Sequence, residues 1–181
     1  MLTNIIHIVG ASGSGTTTLG KAIEHRYGYT HLDVDDYYWL PTDPPFITPR
    51  KLNQRVKLLE EDIKKYKKCV ITGSLCGWGD CFISKFDLII RVVTPTKIRI
   101  KRLRQRELQR FGNRILPNGD MFNKHMEFIQ WARKYDTGDT SMRSKKLHDE
   151  WIKSILCKQI VIDGTISTDI VISKIDELFV K

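Results

Sequence analysis

The chain has 181 residues, 41% of them hydrophobic and 28% charged, with a formal net charge of +9 at pH 7. That length suits one domain with a core of its own, and the composition excludes disordered, collagen-like and disulfide-scaffold chains. No apolar run reaches membrane-spanning length and no charged leader precedes the first apolar stretch, so a cytoplasmic protein without a membrane partner is expected.

Residues 5–9 form an apolar run that reads as a first strand. Gly10-Ala11-Ser12-Gly13-Ser14-Gly15-Thr16-Thr17-Thr18 follows, and a helix is predicted over Thr16–Tyr27, stopping at Gly28. Strand, glycine-rich turn and helix start make the setting of a phosphate-binding P-loop. Gly10 and Gly15 take the two required glycine positions, and Gly13 loosens the middle. Without Cβ atoms the turn can aim several N–H groups at one anion, and the helix start adds its positive end. All nine residues from Gly10 to Thr18 therefore belong to the expected nucleotide cradle. Thr17 stands at the Ser/Thr place, whose hydroxyl ligates Mg²⁺. Thr16 stands where that pattern has lysine. A mere Gly/Ser-rich connector would not need both glycines, the hydroxyl and this context together.

Residues 31–35 read as a second strand with Asp33, Asp35 and Asp36 at its end. Two apart on an extended segment, Asp33 and Asp35 would face the same side. Asp35 is the candidate base and a metal-holding group, and Asp33 positions substrate or metal-bound water. The competing reading is a polar strand end that caps the loop. Residues 36–46, with their prolines and aromatics, read as an irregular loop. Thr48 is then expected to cap a helix with Pro49 at its first position, its apolar face formed by Leu52, Val56, Leu59, Ile63 and Tyr66. Residues 69–72 are a buried strand. No aspartate ends it, which leaves Thr72 and Ser74 to hold metal-bound water. Residues 86–93 are a fourth strand, and Thr94-Pro95 opens a long basic helix.

On that helix Arg99, Arg102, Arg106 and Arg110 step by three, four and four, which places them on one stripe beside Ile100, Leu103 and Phe111. The stripe runs into Phe111-Gly112-Asn113-Arg114, a hinged segment suited to closing over a triphosphate. A solvated face is the competing reading. Arg106, Arg110 and Arg114 are candidate catalytic groups and Arg102 a phosphate-binding one, with Arg133 and Arg143 in reserve. One of these arginines would replace the lysine missing at position 16. Tyr37, Tyr38, Trp39 and Trp78 either rim the cleft or pack the preceding helix on the sheet, and Arg50 and Arg55 suit an anionic acceptor. Helices at 121–135 and 144–156, a strand at 160–163 and a helix from 168, with Ile172, Ile175 and Phe179 inward, complete the chain. Phe122, Phe128, Trp131 and Tyr135 read as core, while His7, His25, His125 and His148 show no pattern. Cys69, Cys76, Cys81 and Cys157 lack CxxC pairing and read as free thiols. Five strands separated by helices imply a doubly wound parallel α/β sheet with ligands at its carboxyl edge.

With these residues laid out, the chain resembles the adenylate-kinase-like branch of small P-loop kinases nearly end to end. It is most similar to short bacterial proteins of that type in GASGSGTTTLG, HLDVDDYYW, PTDPPF and GSLCGWGD. The Asp-Asp-Tyr-Tyr run also resembles the acidic segment of uridine and nicotinamide riboside kinases, where the aspartate serves as base. The resemblance implies one P-loop NTPase domain over 1–181, nucleoside monophosphate kinase-like, with an acceptor-binding insertion at 37–66 and an arginine-rich lid at 99–120. It further implies ATP as donor, Mg²⁺ as cofactor, and a nucleotide, nucleoside or similar small metabolite as phosphate acceptor. Departures are Thr16, the lack of an Asp-Gly-x-Pro-Arg segment after the third strand, and a lid without four cysteines. The rival reading is a nucleotide-binding regulator that has lost catalysis with its lysine. Nucleic-acid binding through the basic helix has only charge behind it and ranks last.

Overall fold

The most continuous apolar runs become the centre of the sheet, where both faces must be covered. The computed structural model describes residues 4–179, with side chains as far as Asp176. Its strands are β1 (Ile5–Gly10), β2 (Thr30–Asp33), β3 (Cys69–Thr72), β4 (Leu88–Val93) and β5 (Lys158–Asp163), in the order β2-β3-β1-β4-β5. Every pairing is parallel, so the expected doubly wound sheet is present. Ile6 lies opposite Val70 on one side and Leu88 on the other. Because β2 and β3 flank β1 on one side and β4 and β5 on the other, the connections diverge around the carboxyl end of β1. Such a divergence opens a crevice for ligands.

Alternation along the strands feeds two cores. Ile6, Ile8, Val70 and Ile90 pack beneath α1 (Thr16–Tyr27) and the last helix with Leu19, Ile23 and Ile175. Val9, Ile71 and Ile89 pack on the opposite face with Leu59, Ile63, Phe82 and Trp151.

Several boundaries differ from those expected. The second strand stops at Asp33, because that residue caps a short helix, α2 (Val34–Tyr38), by accepting from the Asp35 amide. The next helix, α3 (Leu52–Tyr66), starts three residues beyond Pro49. Pro49 instead pairs with Trp39 in an antiparallel bridge, and the Leu40 amide donates to the Thr48 carbonyl at 2.9 Å. On α3 only Leu59 and Ile63 are fully buried, while Leu52 and Tyr66 are exposed. The remaining helices are α4 (Thr96–Phe111), α5 (Phe122–Arg133), α6 (Lys145–Lys153) and α7 (Thr168–Phe179). Ser144 caps α6 with its side chain, and the helix ends before Leu156, which is exposed. On α7 Ile175 is buried and Ile172 half-buried, whereas the side chain of Phe179 lies outside the described residues. Among the described residues no helix is long and apolar enough to cross a membrane.

Candidate functional site

The loop between β1 and α1 turns back on itself through a Ser14 amide to Ala11 carbonyl bond of 3.0 Å. Gly13 (φ +79°) and Gly15 (φ +108°) adopt the left-handed region, where a side chain would be strained. A Cβ on Gly13 would stand 2.7 Å from the Arg99 carbonyl oxygen, so α4 lies directly against the loop. At Gly15 a Cβ would find open space, its nearest neighbour being Arg102 Nη1 at 3.9 Å. The first amides of α1 have no carbonyl of their own helix to bind. Beneath Gly10, the buried hydroxyl of Ser14 has no hydrogen-bond partner. Unsatisfied donors, a positive helix end, open space and a guanidinium together fit the phosphates of a nucleotide. Beside the loop a cavity of about 220 Å³ is walled by Leu19, Val92, Ile162, Ile166 and Val171, with Arg102 also lining it.

Thr17 Oγ1 donates to Asp33 Oδ2 at 3.2 Å, and Asp33 Oδ1 accepts the Asp35 amide at 3.1 Å. The two carboxylates are therefore arranged by a helix cap, and not by strand alternation as expected. Asp33, not Asp35, is the acid hydrogen-bonded to Thr17. A hydroxyl beside a carboxylate is the hard oxygen set that suits Mg²⁺. Asp35 is exposed to solvent at the start of α2, yet protein surrounds it at longer range. That desolvation, then the Asp33 charge, raises its pKa, while Arg143 and Arg106 pull it back.

The arginines do not form one surface. Arg99 is wholly buried, donating from Nε to the Thr94 carbonyl at 3.0 Å, from Nη1 to the Ala132 carbonyl at 3.2 Å and from Nη2 to Asp136 at 2.9 Å. It fastens α4 to α5, because the Ala132 carbonyl and Asp136 draw this position inward. Arg102 reaches the loop, with Nη1 at 3.3 Å from the Ser14 carbonyl. Arg106 pairs with Glu107 at 2.9 Å. Arg110 stands over the Phe46 ring at 5.5 Å, and Arg114 bridges Asp120 and Asp43, each at 2.7 Å. Arg110 and Arg114 thus tie the end of α4 to the loop after α2. Arg143 lies over the Trp131 ring at 5.5 Å.

Of the cleft aromatics, Tyr37 and Trp78 are buried: Tyr37 donates to Asp62 at 2.7 Å and Trp78 Nε1 to the Ser74 carbonyl at 3.1 Å. These two take the packing alternative. Arg50 donates to the carbonyls of Tyr37 and Trp39, and Arg55 lies 3.7 Å over the Tyr38 ring, so both brace the loop. Thr72 is tied to His31 Nε2 at 2.8 Å. His148, in which the sequence shows no pattern, links Ser74 Oγ at 3.0 Å to the Tyr135 hydroxyl at 2.9 Å inside the protein. Its signal is a polar residue three and four places before Trp151 and Ile152, on the buried face of α6.

No protein-family model matches the chain. A shikimate kinase from Bacteroides thetaiotaomicron superposes with a TM-score of 0.59 at 17% identity, covering 97% of this chain and 98% of that one, which shows a P-loop kinase-like fold. The cytidylate kinase of Pyrococcus furiosus is 28% identical over 113 residues, and the match spans little more than half of either chain, 57%. YqaC, an uncharacterized protein of Bacillus subtilis, is 42% identical over 164 residues, covering 91% of this chain and 90% of that protein. A chain so similar over nearly its whole length belongs to the same family as YqaC.

Proposed function

We propose that the protein transfers the terminal phosphoryl group of Mg-ATP to a small acceptor, a nucleotide, nucleoside or similar metabolite. The observation that carries this reading is the Thr17–Asp33 hydrogen bond beside a loop whose Gly15 borders open space reached by Arg102. The P-loop kinase-like fold and the partial similarity to a cytidylate kinase support it.

The amides of residues 13–17 and the helix end would cradle the phosphates. Arg102 would supply, from outside the loop, the charge that Thr16 cannot. The cavity next to Gly15 and Thr18 would take the remainder of the nucleotide. Thr17 and Asp33 would hold Mg²⁺, which when bound neutralises charge developing on the phosphates. Asp35, its pKa raised by desolvation and by the Asp33 charge, would accept the proton of the acceptor hydroxyl as that oxygen bonds to phosphorus and ADP departs. The charges of Arg106 and Arg143 act on the same carboxylate, and these two side chains would meet the transferring group.

A thermal-shift titration with Mg-ATP, followed by ADP-release assays across nucleotides, nucleosides and sugar or acid metabolites, tests this. Saturation with Mg-ATP should raise Tm, and one acceptor class should release ADP. An unchanged Tm at millimolar Mg-ATP would overturn the reading.

A further inference from the structure

Helix α4 carries positive charge on two faces. Arg102 meets the loop, and Arg106, four residues on, shares its side of the helix. At about 100° per residue, Lys97, Lys101 and Arg104 lie roughly half a turn away. There they line a cleft of about 470 Å³, together with Thr96, Ile100 and, from the last turn of α5, Arg133. This cleft is separate from the one beside the P-loop and shares no lining residue with it.

The charges in this cleft are uncompensated. Arg99, Arg106 and Arg114 each have an acidic partner. Among the described residues none of Lys97, Lys101, Arg104 and Arg133 makes an ion pair. Asp136, which bonds the hydroxyl of the lining residue Thr96, is already held by Arg99. Glu107 is likewise taken by Arg106. Four like charges around one hollow repel one another, and a multivalent anion relieves that repulsion. The row on α4 extends about 10 Å along the axis, long enough for two phosphate groups. The hollow falls within the range of small-molecule sites, and buried Ile100 lines it, which suits a compact ligand with a carbon skeleton rather than a strand laid over a flat basic strip.

We infer that the cleft between α4 and α5 is a second anion site, for a small phosphorylated metabolite carrying two or more negative charges. It stands whether or not the P-loop transfers phosphate. The test is an ¹⁵N chemical-shift titration of the full chain with fructose 1,6-bisphosphate, repeated with a short single-stranded RNA. Saturable shifts are expected at Lys97, Lys101, Arg104 and Arg133 with the sugar bisphosphate. The exposed pair Lys101→Ala and Arg104→Ala should weaken that binding by roughly tenfold or more, with Tm unchanged, since two charged contacts are lost. Shifts that grow without saturating, equal affinity in the double variant, or saturation by RNA alone would each overturn the inference. Because the readout sits on the far face of α4, its failure leaves the Mg-ATP test untouched, and the reverse holds too.

Discussion

Asp35, the proposed base, lies in surroundings that delay its ionisation. Partial desolvation and the neighbouring Asp33 charge both raise its pKa. A base works only when deprotonated, so turnover should fall as pH drops through this raised value, at a higher pH than for an ordinary carboxylate near 4. Asp33→Asn removes the repelling charge, and the acid limb of the kcat profile should move to lower pH. A limb that stays in place would show that Asp35 is not the titrating group. Asp35→Asn should lower kcat by about a hundredfold or more while Mg-ATP still raises Tm, because only the proton acceptor is lost. Arg102→Ala should weaken Mg-ATP binding, with partial recovery in Arg102→Lys, because the guanidinium rests on the loop itself. The types of these residues were legible from the sequence. Their pairing was not, because Asp33 turns from strand to cap through a bond to the amide of residue 35.

At the scale of elements, what was legible depended on the distance over which each decision is made. The P-loop could be read from nine consecutive residues because its turn is set by glycines at positions 13 and 15 and by the helix they introduce. The stripe on α4 could not. Spacing places Arg99 with Arg102, but its direction is decided by Asp136, 37 residues further on, and by the Ala132 carbonyl on α5. The helix expected at Pro49 failed for the same reason, since a pairing with Trp39 claimed those residues. Arg99 is accordingly a structural group. Arg99→Leu should cost about 3–5 kcal/mol, as it strips the α4–α5 contact of its buried charge and leaves carbonyls unpaired. Asp136→Asn should cost only about 1 kcal/mol, because that carboxylate is half-exposed and the amide keeps an acceptor. Urea unfolding of the two variants measures the difference, and equal losses would place the pair's stabilisation in Asp136.

At the scale of the whole molecule, the number of strands was legible in the apolar runs, whereas their order is a matter of crossings that no local pattern records. That order brings His7 on β1 under Trp151 of α6 and sets His148 between Ser74 and Tyr135. Burial lowers the pKa of His7 to about 4 and that of His148 to about 3. His31 and His125 shift the same way, again chiefly through burial. In the unfolded chain these rings titrate near 6.5. Between the two values the unfolded state binds more protons than the folded one, so stability is fullest above about pH 6.5 and is lost as pH falls toward 4. Carboxylates held low by partners, such as Asp120 beside Arg114, lose their contribution only below the ordinary carboxylate range. The decline from pH 6.5 to 4 therefore belongs to the histidines, and Asp35, whose raised pKa makes the folded state take up a proton first, opposes it. His7 Nδ1 donates to the Ile71 carbonyl, but Nε2 is buried without a partner, so a leucine there removes a titrating group at the cost of one hydrogen bond. The expected outcome is a Tm nearly level from pH 8 to 7, a decline toward pH 4, and a shallower decline in His7→Leu. A wild-type Tm independent of pH across that window would mean that the rings take up protons without leaving the core. The decline should also reach the site, because protonated His148 loses its one acceptor nitrogen and must donate to both Ser74 and Tyr135, and Ser74 follows the strand that ends beside Asp33.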